Sequence, residues 1–167
     1  SVDECRLLTS YRSSPEITEL FCGLLEPDER RRLTSVQRAG VEPVIRSFAE
    51  KDDYLAALRA AAAEPGEGLT AIVAESDARV SWLSKQLGSA ATVIRGGMSL
   101  PAEGVVLLPL RVAKGLEFDH VIVPDAQAEV YPDTPLARRR LYTALSRAMH
   151  RVTVLAQGPL TPMLAER

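Results

Sequence analysis

Apolar residues fall along this chain in two alternating patterns. Short unbroken runs, Leu69 to Ala74 (LTAIVA), Val105 to Leu110 (VVLLPL), His120 to Val123 and Val152 to Ala156, read as strands buried on both faces. Shorter strands are expected at Glu4 to Leu8, Val41 to Phe48 and Thr92 to Arg95. Between them apolar residues recur at helical spacing. Ile17, Leu20, Phe21, Leu24 and Leu25 follow a start at Ser14-Pro15. Tyr54, Leu55 and Leu58 lie in a helix over Glu50 to Ala63, which Pro65-Gly66-Glu67-Gly68 stops. Ser76 or Asp77 caps a helix through Val80, Leu83 and Leu87, closed by Gly88. Thr134 to His150 reads as one last long helix.

Strands alternating with helices predict an α/β fold with a mostly parallel sheet covered on both faces. Right-handed crossovers place its ligand-binding loops at the carboxyl edge. The expected division is a domain over residues 1–157 and a tail or connector over 158–167.

Composition sharpens this reading. Of 167 residues, 46% are hydrophobic and 25% charged, which is globular. Twenty basic and 22 acidic residues give a net charge of −2, which disfavours a generally basic nucleic-acid binder and leaves room for a local patch. No apolar run has bilayer length and no leader is visible, and Cys5 and Cys22 suit a reduced, cytoplasmic protein. A chain opening on Ser1 and reaching a strand at once is expected of an excised piece.

No G-x-x-x-x-G-K-[ST] loop, G-x-G-x-x-G turn, serine elbow or zinc-spaced Cys/His cluster is present. His120 and His150 stand apart and are expected to be structural or solvent-facing. The runs Arg30 to Arg32 and Arg138 to Arg140 read as solvated faces more readily than as phosphate sites. Tyr54 and Trp82 sit at core-like positions and receive no stacking role.

Three segments carry chemistry: Tyr11-Arg12-Ser13-Ser14, Lys114-Gly115-Leu116-Glu117-Phe118-Asp119, and Leu141-Tyr142-Thr143-Ala144-Leu145-Ser146-Arg147-Ala148. In this order they resemble motifs IV, V and VI of the UvrD/Rep-type superfamily 1 helicases. The resemblance covers nearly the whole chain. It implies a RecA-like, three-layer P-loop NTPase-type fold, the second motor domain (2A), which lacks its own phosphate loop. It further implies ATP with Mg²⁺, the metal held by a first motor domain that also supplies the phosphate loop.

By the same resemblance Arg12 and Arg147 contact the γ-phosphate, Glu117 the ribose and Tyr11 the adenine, with Lys114 and Gly115 near the phosphates or the interdomain cleft. An arginine suits the finger role because it stays charged and offers a planar fork of donors. Read without the family, Arg12 and Arg147 are surface charges, Tyr11 is a rim residue and Lys114 to Glu117 is an exposed turn. Leu116 and Phe118 are expected in the core. Arg147 is expected on the last helix, at the border of its stripe Leu141, Ala144, Leu145 and Ala148, projecting toward a partner domain.

Two departures from the family pattern matter. The large helical insertion between motifs IV and V is missing. Pro109-Leu110-Arg111 stands where a Thr-Val-His-like stretch touches single-stranded DNA in translocating members, leaving Arg111 as the group that reaches a phosphate. Both departures resemble the HelD-like branch, whose members act on RNA polymerase. The expected function is thus an ATP-dependent helicase or translocase motor acting on DNA or on RNA polymerase. The competing reading is a non-catalytic module that docks on RNA polymerase or another protein.

Overall fold

The computed structural model describes residues 42–165. The strand expected at 4–8 and the helix expected from Ser14 lie outside them.

Among the described residues six strands form one sheet in the order β1-β6-β5-β2-β4-β3, with every pairing between them parallel. They are β1 Val44–Phe48, β2 Leu69–Ala74, β3 Thr92–Val93, β4 Gly104–Pro109, β5 Phe118–Val123 and β6 Ala148–Gln157. The helices are α1 Lys51–Ala63, α2 Asp77–Leu87, α3 Leu110–Ala113, α4 Pro135–Leu145 and α5 Pro162–Ala165, with a 3-10 turn at Gly88–Ala90.

Side chains alternate across each strand. On one face Ala71, Val73, Val106, Leu108, Val121 and Val154 meet α3, α4 and α5 through Leu110, Leu141, Leu145 and Leu164. On the other, Ile72, Leu107, Ile122 and Leu155 meet α1 and α2 through Tyr54, Leu58, Val80 and Leu83. The result is three layers, and it explains why the central strands are continuous apolar runs.

Local chemistry sets the helix starts. The Ser76 side chain caps α2 by accepting the Arg79 amide at 3.2 Å. Thr134 does the same for α4 with the Ala137 amide, and Pro135 takes the first helical position. At the amino end of β2, the Asp119 carboxylate accepts the Leu69 amide at 2.8 Å. Gly68 sits beside it at a φ of 78°, where a Cβ would overlap that carboxylate.

The structure corrects several expected boundaries. The last long helix ends at Leu145, not at His150, and Ala148–His150 begin β6. Ala148 fits the helical stripe, but it pairs with Phe118 in the sheet, and the Phe118 amide donates to the Arg147 carbonyl at 2.9 Å. Strand pairing with β5 therefore outcompetes one more helical turn. Leu110 leaves β4 and opens α3, and β5 starts at Phe118, ahead of His120. Residues 158–165 pack on the domain: the Thr161 hydroxyl donates to the Tyr131 carbonyl at 2.6 Å, and Leu164 is buried. No helix among the described residues is long and apolar enough to cross a membrane.

Candidate functional site

The segment from Leu110 to Phe118 carries most of the candidate residues, and it runs from one end of the sheet to the other. It leaves β4 at that strand's carboxyl end, forms α3, and enters β5 at its amino end. A strand of six residues spans about 17–20 Å. The segment thus separates the candidates into two groups.

The first group lies at the amino end of β5 and β6. Glu117 precedes Phe118, Arg147 precedes Ala148, and those two followers are paired in the sheet. Glu117 is exposed and Arg147 half-buried. Arg147 does not stand on the helix as expected. It sits in the turn between α4 and β6, with the guanidinium folded back so that Nη2 donates to the Ser146 hydroxyl at 3.2 Å and Nη1 to the Leu116 carbonyl at 3.4 Å. The sheet register that shortens α4 also puts Arg147 next to the β5 entry. This group is at the amino edge, whereas the fold pattern pointed to the carboxyl edge. Gly115 enters the turn at a φ of 81°, which favours glycine, and no atom would obstruct a Cβ there.

The second group lines an open cavity of about 490 Å³ at the carboxyl end of β2 and β4. Arg111 and Lys114 are here, with Glu75, Ser76, Asp77, Leu136, Arg139, Arg140 and Thr143. Lys114 lines this cavity, whereas Glu117, three residues further on, and Arg147 do not. The Arg111 guanidinium pairs with the Asp77 carboxylate through two bonds, at 3.0 and 2.8 Å. That hydrogen bonding holds the Asp77 carboxyl below its ordinary range. Arg140 donates to the Glu75 carbonyl and lies 3.6 Å from its carboxylate.

Sequence reasoning missed Arg139 and Arg140 here by reading their run as a solvated face. The available signal was the spacing Leu136, Arg139, Arg140, Thr143, which is one face of α4. Leu136 is 60% exposed on that face. On α2, Arg79 grips Asp125 and stacks over the Trp82 ring at 4.0 Å, with Lys51 at 5.3 Å from the same ring. Trp82 is half-buried and packs against the core on the α1 and α2 side, as expected, with the two cations over its ring. Tyr54 is fully buried, as expected.

His120 is buried against the Thr153 hydroxyl at 2.8 Å, and burial with the nearby Arg151 charge lowers its pKa to about 4. His150 is exposed, 3.7 Å from Asp119. Leu116 and Phe118 pack in the core, as expected. Tyr11 and Arg12 lie outside the described residues, and so do Arg30 to Arg32.

Residues 104–155 match the UvrD-like helicase C-terminal domain. The whole chain is similar to the C-terminal domain of a possible DNA helicase from Lactobacillus plantarum WCFS1, at 34% identity over 94% of this chain and 93% of that one, with a TM-score of 0.77. The chain belongs to the UvrD-like helicase C-terminal domains. This helicase domain is also similar to the C-terminal domain of the DEAD-box protein Dbp5, at 12% identity over 71% of this chain and 77% of that one, with a TM-score of 0.49. No curated protein matches it. Within the helicase domain the matched span takes in both groups: Arg111 and Lys114 at the cavity, Glu117 and Arg147 at the opposite edge.

Proposed function

We propose that this domain is the second motor domain of a superfamily 1 ATPase of the UvrD/Rep type. In this reading ATP, with Mg²⁺ held by the first motor domain, lies between the two domains. Arg147, joined by Arg12, neutralises charge that develops on the γ-phosphate. Glu117 accepts from the ribose hydroxyls and Tyr11 stacks on the base. Gly115 lets the backbone turn between the two groups.

The observation that carries this reading is the path of residues 110–118. One short segment joins the cationic cavity to the edge that bears Glu117 and Arg147. Arg111, Lys114, Arg139 and Arg140 suit the phosphates of a single strand, and exposed Leu136 suits a base. A shift of the segment on ATP binding moves both ends together, which couples hydrolysis to movement on nucleic acid. Pro109-Leu110-Arg111 and the missing insertion favour the HelD-like variant of this function, in which the load is RNA polymerase.

The test is the division of labour. The purified 167-residue chain should show no saturable ATPase, while the two-domain protein hydrolyses ATP and is stimulated by nucleic acid. Saturable hydrolysis by the chain alone, abolished by Arg147→Ala, would contradict the proposal.

A further inference from the structure

The cavity holds four cationic side chains and two carboxylates. Of these, Arg111 and Asp77 make the best-formed pair. Arg111 Nε donates to Oδ2 at 3.0 Å and Nη2 to Oδ1 at 2.8 Å. Two parallel bonds of this kind are also how a guanidinium takes two oxygens of a phosphate. Both side chains are nonetheless open to solvent, at 66% and 65% exposure. The fork of Arg111 is thus occupied by a carboxylate in the place where a strand would arrive.

We propose that Asp77 is a built-in competitor of nucleic acid, seated on Arg111 as a phosphate would be, so that a single strand enters the cavity by displacing its carboxylate. The inference rests on the reading of the cavity as a strand site. Three features make the exchange workable. An ion pair this exposed is weakly held, because water and salt screen it. The displaced carboxylate keeps a favourable position, since Asp77 is the first residue of α2 and faces the positive end of that helix. A strand also brings several phosphates where Asp77 brings one charge, so that while one phosphate takes the Arg111 fork its neighbours can meet Lys114 and Arg139, which line the same cavity. Asp77 therefore sets a threshold. It shields Arg111 from small anions and yields to a polyanion that engages several cations at once.

The test is a mutant cycle on the whole chain, read by fluorescence anisotropy with labelled oligothymidylate and, in parallel, oligouridylate. Asp77→Asn should tighten binding of one or both oligomers by up to about fivefold, the scale of an exposed ion pair. Arg111→Gln should weaken it, and adding Asp77→Asn to Arg111→Gln should then give no gain. If Arg111→Gln weakens binding but Asp77→Asn does not tighten it, the competitor role is wrong and the strand site stands. If the gain from Asp77→Asn persists without Arg111, Asp77 acts by general repulsion, and the proposal is overturned. If Arg111→Gln and Lys114→Gln both leave binding unchanged, the strand-site reading itself fails, and the inference with it.

Discussion

Arg79 meets Asp125 edge to edge: Nε lies 3.0 Å from Oδ2 and Nη2 2.8 Å from Oδ1. Asp125 is almost fully buried, and it also accepts from the Tyr54 hydroxyl at 3.2 Å. Asp125 follows β5, Arg79 belongs to α2 and Tyr54 to α1, so one carboxylate ties three elements at the carboxyl edge. The single Tyr54 hydroxyl proton is shared between Asp125 and the Pro124 carbonyl. Burial and the Asp125 charge push the Tyr54 phenol well above its ordinary range, which keeps it a donor.

Removing that carboxylate leaves Arg79 and Tyr54 facing each other without their shared acceptor. Asp125→Ala should therefore cost about 3 kcal/mol in urea unfolding. Tyr54→Phe, which removes one donor and keeps the ring, should cost about 1 kcal/mol. Equal losses from the two variants would contradict the central role given to Asp125.

His120 makes stability depend on pH. Its folded pKa of about 4 lies below the ordinary value of 6.5. The unfolded chain therefore takes up a proton at a higher pH than the folded one. His120 contributes no penalty above about pH 6.5, and stability then falls toward pH 4, by at most about 1.4 kcal/mol per unit. Urea unfolding at a series of pH values should show this slope in the wild type and a shallower one in His120→Gln. An unchanged slope in the variant would assign the effect to other groups.

Two glycines should respond differently to alanine. Gly68 and Gly115 both have a positive φ, but a Cβ at Gly68 would run into Asp119, and one at Gly115 would meet nothing. Gly115→Ala should cost about 1 kcal/mol, from backbone conformation alone. Gly68→Ala should cost more, because it also disturbs the Asp119 bond to the Leu69 amide. Comparing the two midpoints in one denaturant series checks this order.

The proposed nucleotide contact of Glu117 predicts a particular kinetic signature. A ribose contact is present in both the ground and transition states, so its loss raises KM with little change in kcat. Glu117→Ala in the two-domain protein should raise KM for ATP roughly tenfold, the scale of one hydrogen bond to a charged group. A fall in kcat at constant KM would place Glu117 in the chemistry.

Much of the architecture was legible in the sequence because the central strands are buried on both faces. Runs such as Leu69 to Ala74 admit few other readings. The start of α2 was narrowed to Ser76 or Asp77, and that of the last long helix to Thr134, because short-range chemistry decides where a helix begins. The end of that last long helix was misread because Leu141, Ala144, Leu145 and Ala148 satisfy helical spacing, and only pairing with Phe118 turns Ala148 into a strand residue. The same long-range contact moves Arg147 from a helix face to a turn. The cavity was half legible. Arg111 and Lys114 share a segment, but Asp77 and Arg140 reach them only through the parallel order of β2 and β4 and the packing of α4.

The most direct measurement is the single-turnover rate of ATP hydrolysis by the two-domain protein carrying Arg147→Ala, with oligonucleotide binding measured alongside. If Arg147 serves the γ-phosphate, the rate falls by about 10³ or more while binding at the cavity stays as in the wild type. Hydrolysis at the wild-type rate by a folded Arg147→Ala protein would contradict the account.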